Sequence, residues 1–188
     1  MKKENLKRLA LTAIMLALAA VLSEFPIVPL PLAFGGKATL ASMLPIILVV
    51  LKYDFKWGLF TTFTYSVVQM FLSLGKVLSW GLSIPILIGC ILLDYILPYT
   101  VLCFSGVLKR RGNIGVMAGV VLAIVLRFVM HLLSGMVLWD YITEMGFWGA
   151  LWYSVTYNGA FMLPELVITV LALGALIATN AYKRIIKA

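Results

Sequence analysis

Six long apolar runs separated by short polar segments constrain this 188-residue chain more than any other feature. They lie near residues 8–24, 38–51, 57–74, 83–107, 114–138 and 149–181. A helix needs about 20 apolar residues to cross a hydrocarbon core of ~30 Å, and most of the runs approach or exceed that length. Only 12% of the residues are charged, whereas a soluble domain has about 25%. We therefore predict an all-α integral membrane protein, a single domain over residues 1–188 with a bundle of six transmembrane helices.

The second run is short for a transmembrane helix and contains Pro45. A proline inside a helix removes one backbone hydrogen bond and bends the helix axis. We therefore expect either a kink at Pro45 or a short helix that its neighbours partly shield from lipid.

Lysine and arginine fall mainly on one side of the predicted bundle. If the amino terminus is inside, twelve of them lie in inner segments, whereas Lys37 and Lys76 lie in outer segments. Cytoplasmic loops carry the excess of such residues, so both termini are predicted to be cytoplasmic. The same clusters account for the net charge of +8, which therefore does not indicate nucleic-acid binding.

The first outer loop, residues 25–37, is rich in proline and ends near a pair of glycines. Pro26, Pro29 and Pro31 exclude a regular helix, and Gly35 with Gly36 provides a hinge. Connectors of this length often act as lids or binding loops. We interpret the loop as a lid over a binding site, with a plain surface connector as the alternative.

Ionisable residues lie inside the apolar runs. A charged side chain at the bilayer centre costs roughly 2.5–3.5 kcal/mol on insertion scales, so it persists where it has a partner or a function. Asp94 and Tyr95 are adjacent in the fourth run, and Arg127 lies in the fifth. One interpretation is an Asp94–Arg127 salt bridge that only joins two helices, and the other is a binding site.

The fifth run contains a stripe of functional side chains. Arg127, His131 and Gly135 are spaced by four residues, so they share one helix face, and Trp139 continues that face toward the outer side. Gly135 is expected to leave space beside His131. The stripe therefore indicates the wall of a ligand site.

The sixth run adds Tyr153 and Asn158, and the asparagine amide can both donate and accept hydrogen bonds. A carboxylate, several aromatic faces and an amide suit a small, flat, nitrogen-rich cation. The spacing provides neither a nucleophile–base pair nor a metal-ligand cluster, so we predict no enzyme activity, cofactor or metal. Cys90 and Cys103 are expected to be buried thiols. Glu165 has no obvious partner and either pairs across the bundle or serves as a proton site.

Four stretches carry a resemblance to a known family. They are Gly35–Lys37 with the following Met-Leu-Pro-Ile at 43–46, LLDYILPY at 92–99, LRFVMHLLSGMVLW at 126–139 and WYSVTYNGAFMLP at 152–164. With them the chain resembles the thiamine-specific substrate-binding (S) components of energy-coupling factor (ECF) transporters. The resemblance covers nearly the whole chain, and the pairing of His-x3-Gly-x3-Trp with Tyr-x4-Asn is quite specific.

By this resemblance, a vitamin pocket lies near the outer face between helices four to six, beneath the first loop. Asp94 would bind the aminopyrimidine of thiamine, Trp139 would stack on the thiazolium ring, and Asn158 would bond the pyrimidine. The resemblance also implies a set of wall residues, namely Tyr65, Tyr95, His131 and Tyr153. Arg127 and Gly135 share the wall of helix five.

The resemblance further implies partners in a bacterial plasma membrane that the chain crosses several times. S components dock on a transmembrane coupling protein that carries two ATP-binding-cassette ATPase subunits. Small residues on the first helix provide the docking face, and Ala13 and Ala17 have the matching Ala-x3-Ala spacing. Ordinary close packing of helices is the alternative for these alanines.

We therefore expect capture of thiamine from outside and ATP-driven delivery through an ECF complex. Three alternatives remain open at this point. They are an S component for another vitamin such as a pyrimidine precursor or a flavin, a self-sufficient carrier coupled to protons through Asp94 and Glu165, and a membrane scaffold that transports nothing.

Overall fold

The computed structural model describes residues 3–28, 36–139 and 141–187, and these residues are mostly helical. The α-helices are α1 (Lys3–Glu24), α2 (Leu44–Lys52), α3 (Phe55–Ser79), α4 (Ile84–Cys90), α5 (Leu97–Thr100), α6 (Gly112–Val137), α7 (Tyr141–Ala178) and α8 (Ala181–Lys187). A π-helical segment (Ile91–Ile96) joins α4 to α5, and 3₁₀ segments (Val101–Gly106 and Lys109–Arg111) join α5 to α6. Two short strands, β1 (Pro26–Val28) and β2 (Ala38–Thr39), pair in antiparallel fashion.

Three helical stretches of the described residues are long and apolar enough to cross a membrane. They are Lys3–Glu24, Ile84–Val137 and Glu144–Ala178. The second contains the fourth and fifth predicted runs. Large apolar side chains such as Ile14, Phe71 and Leu171 are more than half exposed, as a lipid-facing surface requires.

The second predicted helix is shorter than its apolar run. Residues 38 and 39 form β2, so the expectation of a helix from residue 38 is wrong, and α2 begins at Leu44. Pro45 occupies the first turn of α2, where its missing N–H would have no helical acceptor, so the predicted kink does not occur. The alternative is confirmed, because residues 45–51 are all buried among neighbouring helices.

The predicted lid, residues 25–37, lies partly outside the described residues, which omit 29–35. Its described ends meet in the β1–β2 pair, where Pro26 lies opposite Thr39. Lys37 forms an ion pair with Glu24 at 3.2 Å. The two ends of the loop are therefore joined to each other beside the carboxyl-terminal end of α1.

The fourth apolar run is a broken helix. Between α4 and α5 the backbone widens to a π-helix that contains Asp94 and Tyr95, and the N–H of Leu97 bonds the carbonyl of Leu92, five residues earlier. Pro98 supplies a physical reason, because it has no N–H for the carbonyl of Asp94 and its ring crowds that carbonyl. Isolated π-helical turns are often found at functional sites.

Glycines bring α6 close to its neighbours. A Cβ on Gly115 would lie 2.2 Å from the carbonyl oxygen of Leu108, and one on Gly119 would lie 2.4 Å from that of Ser105. Both glycines therefore allow the start of α6 to pack closely against the segment that precedes it. Helix α7 packs along α6 and is interrupted at Gly146, whose φ of 71° lies in the left-handed region.

Capping contacts stabilise the end of the bundle at which the lysines and arginines cluster. The Lys52 ammonium donates to the carbonyls of Ile185 and Ile186, at 2.8 and 3.0 Å, at the end of α8. Asp54 caps α3 by accepting from the Trp57 N–H at 3.1 Å, and this hydrogen bond lowers the pKa of the Asp54 carboxyl. Such contacts satisfy backbone and side-chain groups at helix ends.

Candidate functional site

A cavity of about 190 Å³ lies between the helices and is lined by polar and aromatic side chains. Eight of the nine substrate-site residues predicted from the sequence line it. They are Asp94, Tyr95, Arg127, His131, Gly135, Trp139, Tyr153 and Asn158. Residues that are distant in the sequence therefore converge on one cavity.

The carboxylate of Asp94 is held from both sides by residues of α6. Its Oδ1 lies 3.1 Å from Nδ1 of His131, and its Oδ2 accepts from the Ser134 hydroxyl at 2.6 Å. The side chain remains 21% exposed, toward the cavity. The π-helical turn and α6 together fix this carboxylate at the wall of the site.

His131 is buried, and only one of its ring nitrogens has a partner. Nδ1 meets Asp94, and the ring lies edge-on to Phe161 at 5.8 Å. Within the described part of the chain, Nε2 is buried without a hydrogen-bond partner. Buried polar atoms are normally satisfied, so the unpartnered Nε2 sets His131 apart from most buried polar groups.

Arg127 does not form the salt bridge with Asp94 that one interpretation proposed. Its guanidinium lies 4.1 Å from the ring centre of Tyr99, and Nη1 contacts the sulfur of Met43 at 2.6 Å. The side chain is only 8% exposed, and its Nε has no hydrogen-bond partner among the described residues. The predicted Asp94–Arg127 salt bridge is wrong because two other residues of α6, His131 and Ser134, lie nearer to Asp94 than Arg127 does.

Tyr65 is not among the residues that line the cavity. It is fully buried behind the wall, where its hydroxyl accepts from Nε2 of Gln69 at 2.6 Å. Its ring lies edge-on to Tyr99 at 5.2 Å. Tyr65 was the predicted wall residue, but Tyr99 forms the aromatic wall at this point, and Tyr65 packs against it from behind.

Gly135 lines the cavity for a different reason from the one predicted. It does not open space beside His131, because a Cβ at this position would lie 2.3 Å from Oγ of Ser154. Helices α6 and α7 therefore approach each other at Gly135. Ser154 donates to the carbonyl of Leu132 at 3.0 Å, which fixes α7 against α6 there.

Asn158 is tied to the helix contact by its amide nitrogen. Nδ2 donates to the carbonyls of Ser154 at 2.9 Å and of His131 at 3.3 Å. The amide oxygen takes part in neither bond. The residue therefore joins the two helices and presents an acceptor beside the cavity.

Aromatic rings form much of the remaining wall. Trp139 meets Trp80 edge-on at 5.5 Å, and Tyr153 stacks on Tyr157 at 6.0 Å with an angle of 20° between the rings. Among the described residues, the aromatic side chains that line the cavity are Trp80, Tyr95, Tyr99, Trp139, Tyr153, Tyr157 and Phe161. Such faces bind flat and positively charged rings.

Among the described residues, three acids and two bases line the cavity. The acids are Glu24, Asp94 and Glu165, and the bases are Lys37 and Arg127, so these residues carry one formal negative charge in excess when the histidine is neutral. Since Glu24 and Lys37 neutralise each other as an ion pair, the excess charge belongs to the deeper carboxylates. A space with this balance attracts a monovalent cation.

The sequence profile of the thiamine transporter protein family (Thia_YuaJ) matches residues 9–185. The chain belongs to this family. Its members are transporters, so the family role is transport across the membrane and not catalysis. The family and the apolar helices make the chain a multi-pass protein of the bacterial plasma membrane.

Two individual proteins extend the comparison. The chain is 29% identical over 191 residues to thiamine transporter ThiT of Bacillus subtilis, covering 95% of this chain and 94% of that protein. Its fold is similar to a solved structure of ThiT from Listeria monocytogenes, with a TM-score of 0.71 and 22% identity. The superposition covers 98% of this chain and 99% of the solved one, so the similarity in fold is not confined to one part of the chain.

Several cavity residues of this family member were missed by sequence reasoning. Trp80 lies in a predicted loop, and Ser134 is a common residue inside a helix, so neither gave a signal. Glu165 gave a signal, a carboxylate in an apolar run, but no partner could be assigned. In the structure it is 4% exposed and accepts hydrogen bonds from Thr39.

Proposed function

We propose that this chain is the thiamine-binding S component of an ECF-type uptake transporter. It captures thiamine near the outer face and delivers it with a transmembrane coupling protein and two ATP-binding-cassette ATPase subunits. The observation that carries the proposal is the cavity, whose described lining has seven aromatic rings and one more carboxylate than cations. Thiamine matches it, because the vitamin has two flat rings and one permanent positive charge.

The polar atoms of the cavity suit the aminopyrimidine ring. Asp94, which is fixed by Nδ1 of His131, would meet the ring's amino group, and the amide oxygen of Asn158 would accept from the same edge. Each contact would satisfy a group that is costly to leave unpaired when buried. Recognition would therefore depend on hydrogen bonds at this end of the ligand.

The aromatic side of the cavity suits the thiazolium ring. Trp139 would stack on that ring, with Tyr95 and Tyr153 as neighbouring walls. A cation over a tryptophan face gains about 0.5–2 kcal/mol, more when it is desolvated. Arg127 is held over Tyr99, and its charge offsets one of the two deeper carboxylates, Asp94 and Glu165.

The membrane arrangement belongs to the same proposal. The chain would form a single domain of six spans, with α2 as a short span shielded by its neighbours and both termini in the cytoplasm. The distribution of lysine and arginine supports this orientation. The segment 25–37 would lie over the cavity as a lid, which the position of Gly36 and Lys37 in the cavity wall supports.

The partner-docking face would be on α1. Ala13 and Ala17 are both exposed, among exposed apolar residues such as Ile14 and Leu18. Small residues on an exposed apolar helix face allow another helix to approach closely. This exposure supports a contact with the coupling protein over packing inside the chain.

A binding screen of the purified chain tests the proposal. Thiamine, a pyrimidine precursor and riboflavin would each be titrated against the protein in detergent by isothermal titration calorimetry. Thiamine is expected to bind at least ~100-fold more tightly than the other two, about 2.7 kcal/mol. Tighter binding of either competitor would assign the chain to another vitamin, and binding of none would reject it as an S component.

Reconstituted vesicles separate this function from a proton-coupled carrier. We expect thiamine uptake only when the coupling module and ATP are present. Uptake by the chain alone that is abolished by collapse of the pH gradient would instead identify a self-sufficient carrier.

A further inference from the structure

Glu165 is a buried carboxylate whose partners are on a distant part of the chain. It lies on α7 directly after Pro164, is 4% exposed and lines the cavity. Burying a carboxylate without hydrogen bonds costs several kcal/mol, roughly, so its donors matter for both stability and geometry.

The donors come from the segment that leads from β2 into α2. The backbone N–H of Thr39 donates to Oε2 of Glu165 at 2.6 Å. The Thr39 hydroxyl lies 2.9 and 2.8 Å from the two carboxylate oxygens, and the Ser42 hydroxyl lies 3.4 Å from Oε1. Hydrogen bonds to a carboxylate are about twice as strong as neutral ones.

This segment forms one wall of the cavity. Gly36, Lys37, Thr39 and Ser42 all line it, and Met43 follows directly with its sulfur against the guanidinium of Arg127. The segment contains little regular structure apart from the two residues of β2. Glu165 is therefore the group on α7 that fixes this wall relative to the opposite side of the cavity.

We propose that Glu165 is a positioning residue that holds the wall segment 36–43 against α7 and thereby slows the dissociation of the bound ligand. It acts through Thr39 and Ser42 and does not need to touch the ligand. The inference rests on the proposed function, because thiamine is the ligand whose release is measured.

Two substitutions test the inference in the full-length protein. Glu165→Gln keeps the size of the side chain but removes its charge, and Thr39→Val removes one donor without any change in charge. Each is expected to raise the dissociation rate of thiamine about tenfold or more and to change the association rate by less than about threefold. Stopped-flow tryptophan fluorescence measures both rates.

The double variant isolates the interaction. If the two residues act through one hydrogen-bond cluster, Glu165→Gln with Thr39→Val should dissociate thiamine little faster than Glu165→Gln alone. Glu144→Gln is the matched control, since it removes the same charge from an exposed site on α7. It should leave the rates unchanged.

Hydrogen exchange gives a readout that does not depend on the ligand. The Thr39 amide bonds directly to Glu165, so Glu165→Gln should speed exchange in a peptide covering residues 36–43 and leave α6 peptides unchanged. If the wild-type protein binds no thiamine, the proposed function fails, and the exchange experiment still tests the anchor.

Two outcomes would overturn the inference. A dissociation rate that is unchanged in Thr39→Val but raised in Glu165→Gln would mean that Glu165 contacts the ligand itself. Unchanged exchange over residues 36–43 in Glu165→Gln would mean that other contacts hold the wall.

Discussion

At the scale of single residues, Asp94 is distinguished by its two partners on α6. His131 and Ser134 hold the carboxylate at 3.1 and 2.6 Å, so its position does not depend on a ligand. Preorganised groups lose little conformational entropy on binding, which increases affinity. The charge of Asp94, and not only its shape, is then expected to determine affinity for a cation.

Asp94→Asn should therefore weaken thiamine binding by more than about tenfold, or ~1.4 kcal/mol, because it removes one negative charge from the cavity. Titration calorimetry of the purified variant provides the measurement. Asp54→Asn is the control, since it makes the same change at an exposed helix cap on the opposite end of the bundle. Wild-type affinity in Asp94→Asn would make the carboxylate a structural group only.

Trp139 should report ligand binding directly. Thiamine is expected to quench the intrinsic fluorescence of the protein through stacking on this ring, and Trp139→Phe should lose most of that quenching. Trp152→Phe is the matched control, because Trp152 is 71% exposed on the lipid-facing side of α7. Equal quenching in wild type and Trp139→Phe would remove Trp139 from the binding site.

At the scale of elements, the contact between α6 and α7 determines the shape of the cavity. Gly135 and Ser154 meet where the two helices approach, and Asn158 bonds across the same contact. A close approach of this kind is enforced by backbone and small side chains, so added volume must push the helices apart or distort them.

Gly135→Ala should lower the free energy of unfolding by about 1–3 kcal/mol, since its Cβ would lie 2.3 Å from Oγ of Ser154. Thermal unfolding in detergent measures the loss. Adding Ser154→Gly should restore much of it, because the clashing oxygen is removed. Gly159→Ala, which meets no atom within 4 Å, should be tolerated, and an equal loss there would contradict the packing argument.

At the scale of the whole molecule, α1 carries the exposed face proposed for docking. Ala13 and Ala17 lie on that face and remote from the cavity lining. Binding and docking are thus located on different surfaces of one chain. Substitutions on α1 should separate the two activities.

Ala13→Trp combined with Ala17→Trp should abolish uptake into vesicles that contain the coupling module, because the added bulk prevents close approach of the partner helix. Thiamine affinity of the isolated variant should stay at the wild-type value. Leu171→Trp adds bulk to an exposed site on α7 and should affect neither activity. Loss of binding in the α1 variant would contradict a docking role.

Sequence reasoning succeeded for features that depend only on the helical period or on the preference of apolar side chains for lipid. Apolar length located the main helices, and the four-residue spacing of Arg127, His131 and Gly135 placed them on one face of α6. Both inferences depend only on the geometry of a single helix. They did not require knowledge of what that helix packs against.

Sequence reasoning failed where the position of a side chain depends on contacts with a second helix or strand. The placement of the elements side by side determines which partners Asp94 and Glu165 have. It also determines that Tyr65 lies behind Tyr99 and that α6 and α7 approach closely at Gly135. The π-helical turn that carries Asp94 is a further case, because its hydrogen bonds shift by one residue within an otherwise apolar run.

By itself, the sequence determined that this chain belongs in a membrane, where most of its helices lie and which polar residues lie inside them, because hydropathy and helical period are local properties. Only the tertiary structure decided which of those polar groups meet, since a buried carboxylate or guanidinium takes whichever donor or ring the packing brings within reach. The cavity is a product of that packing.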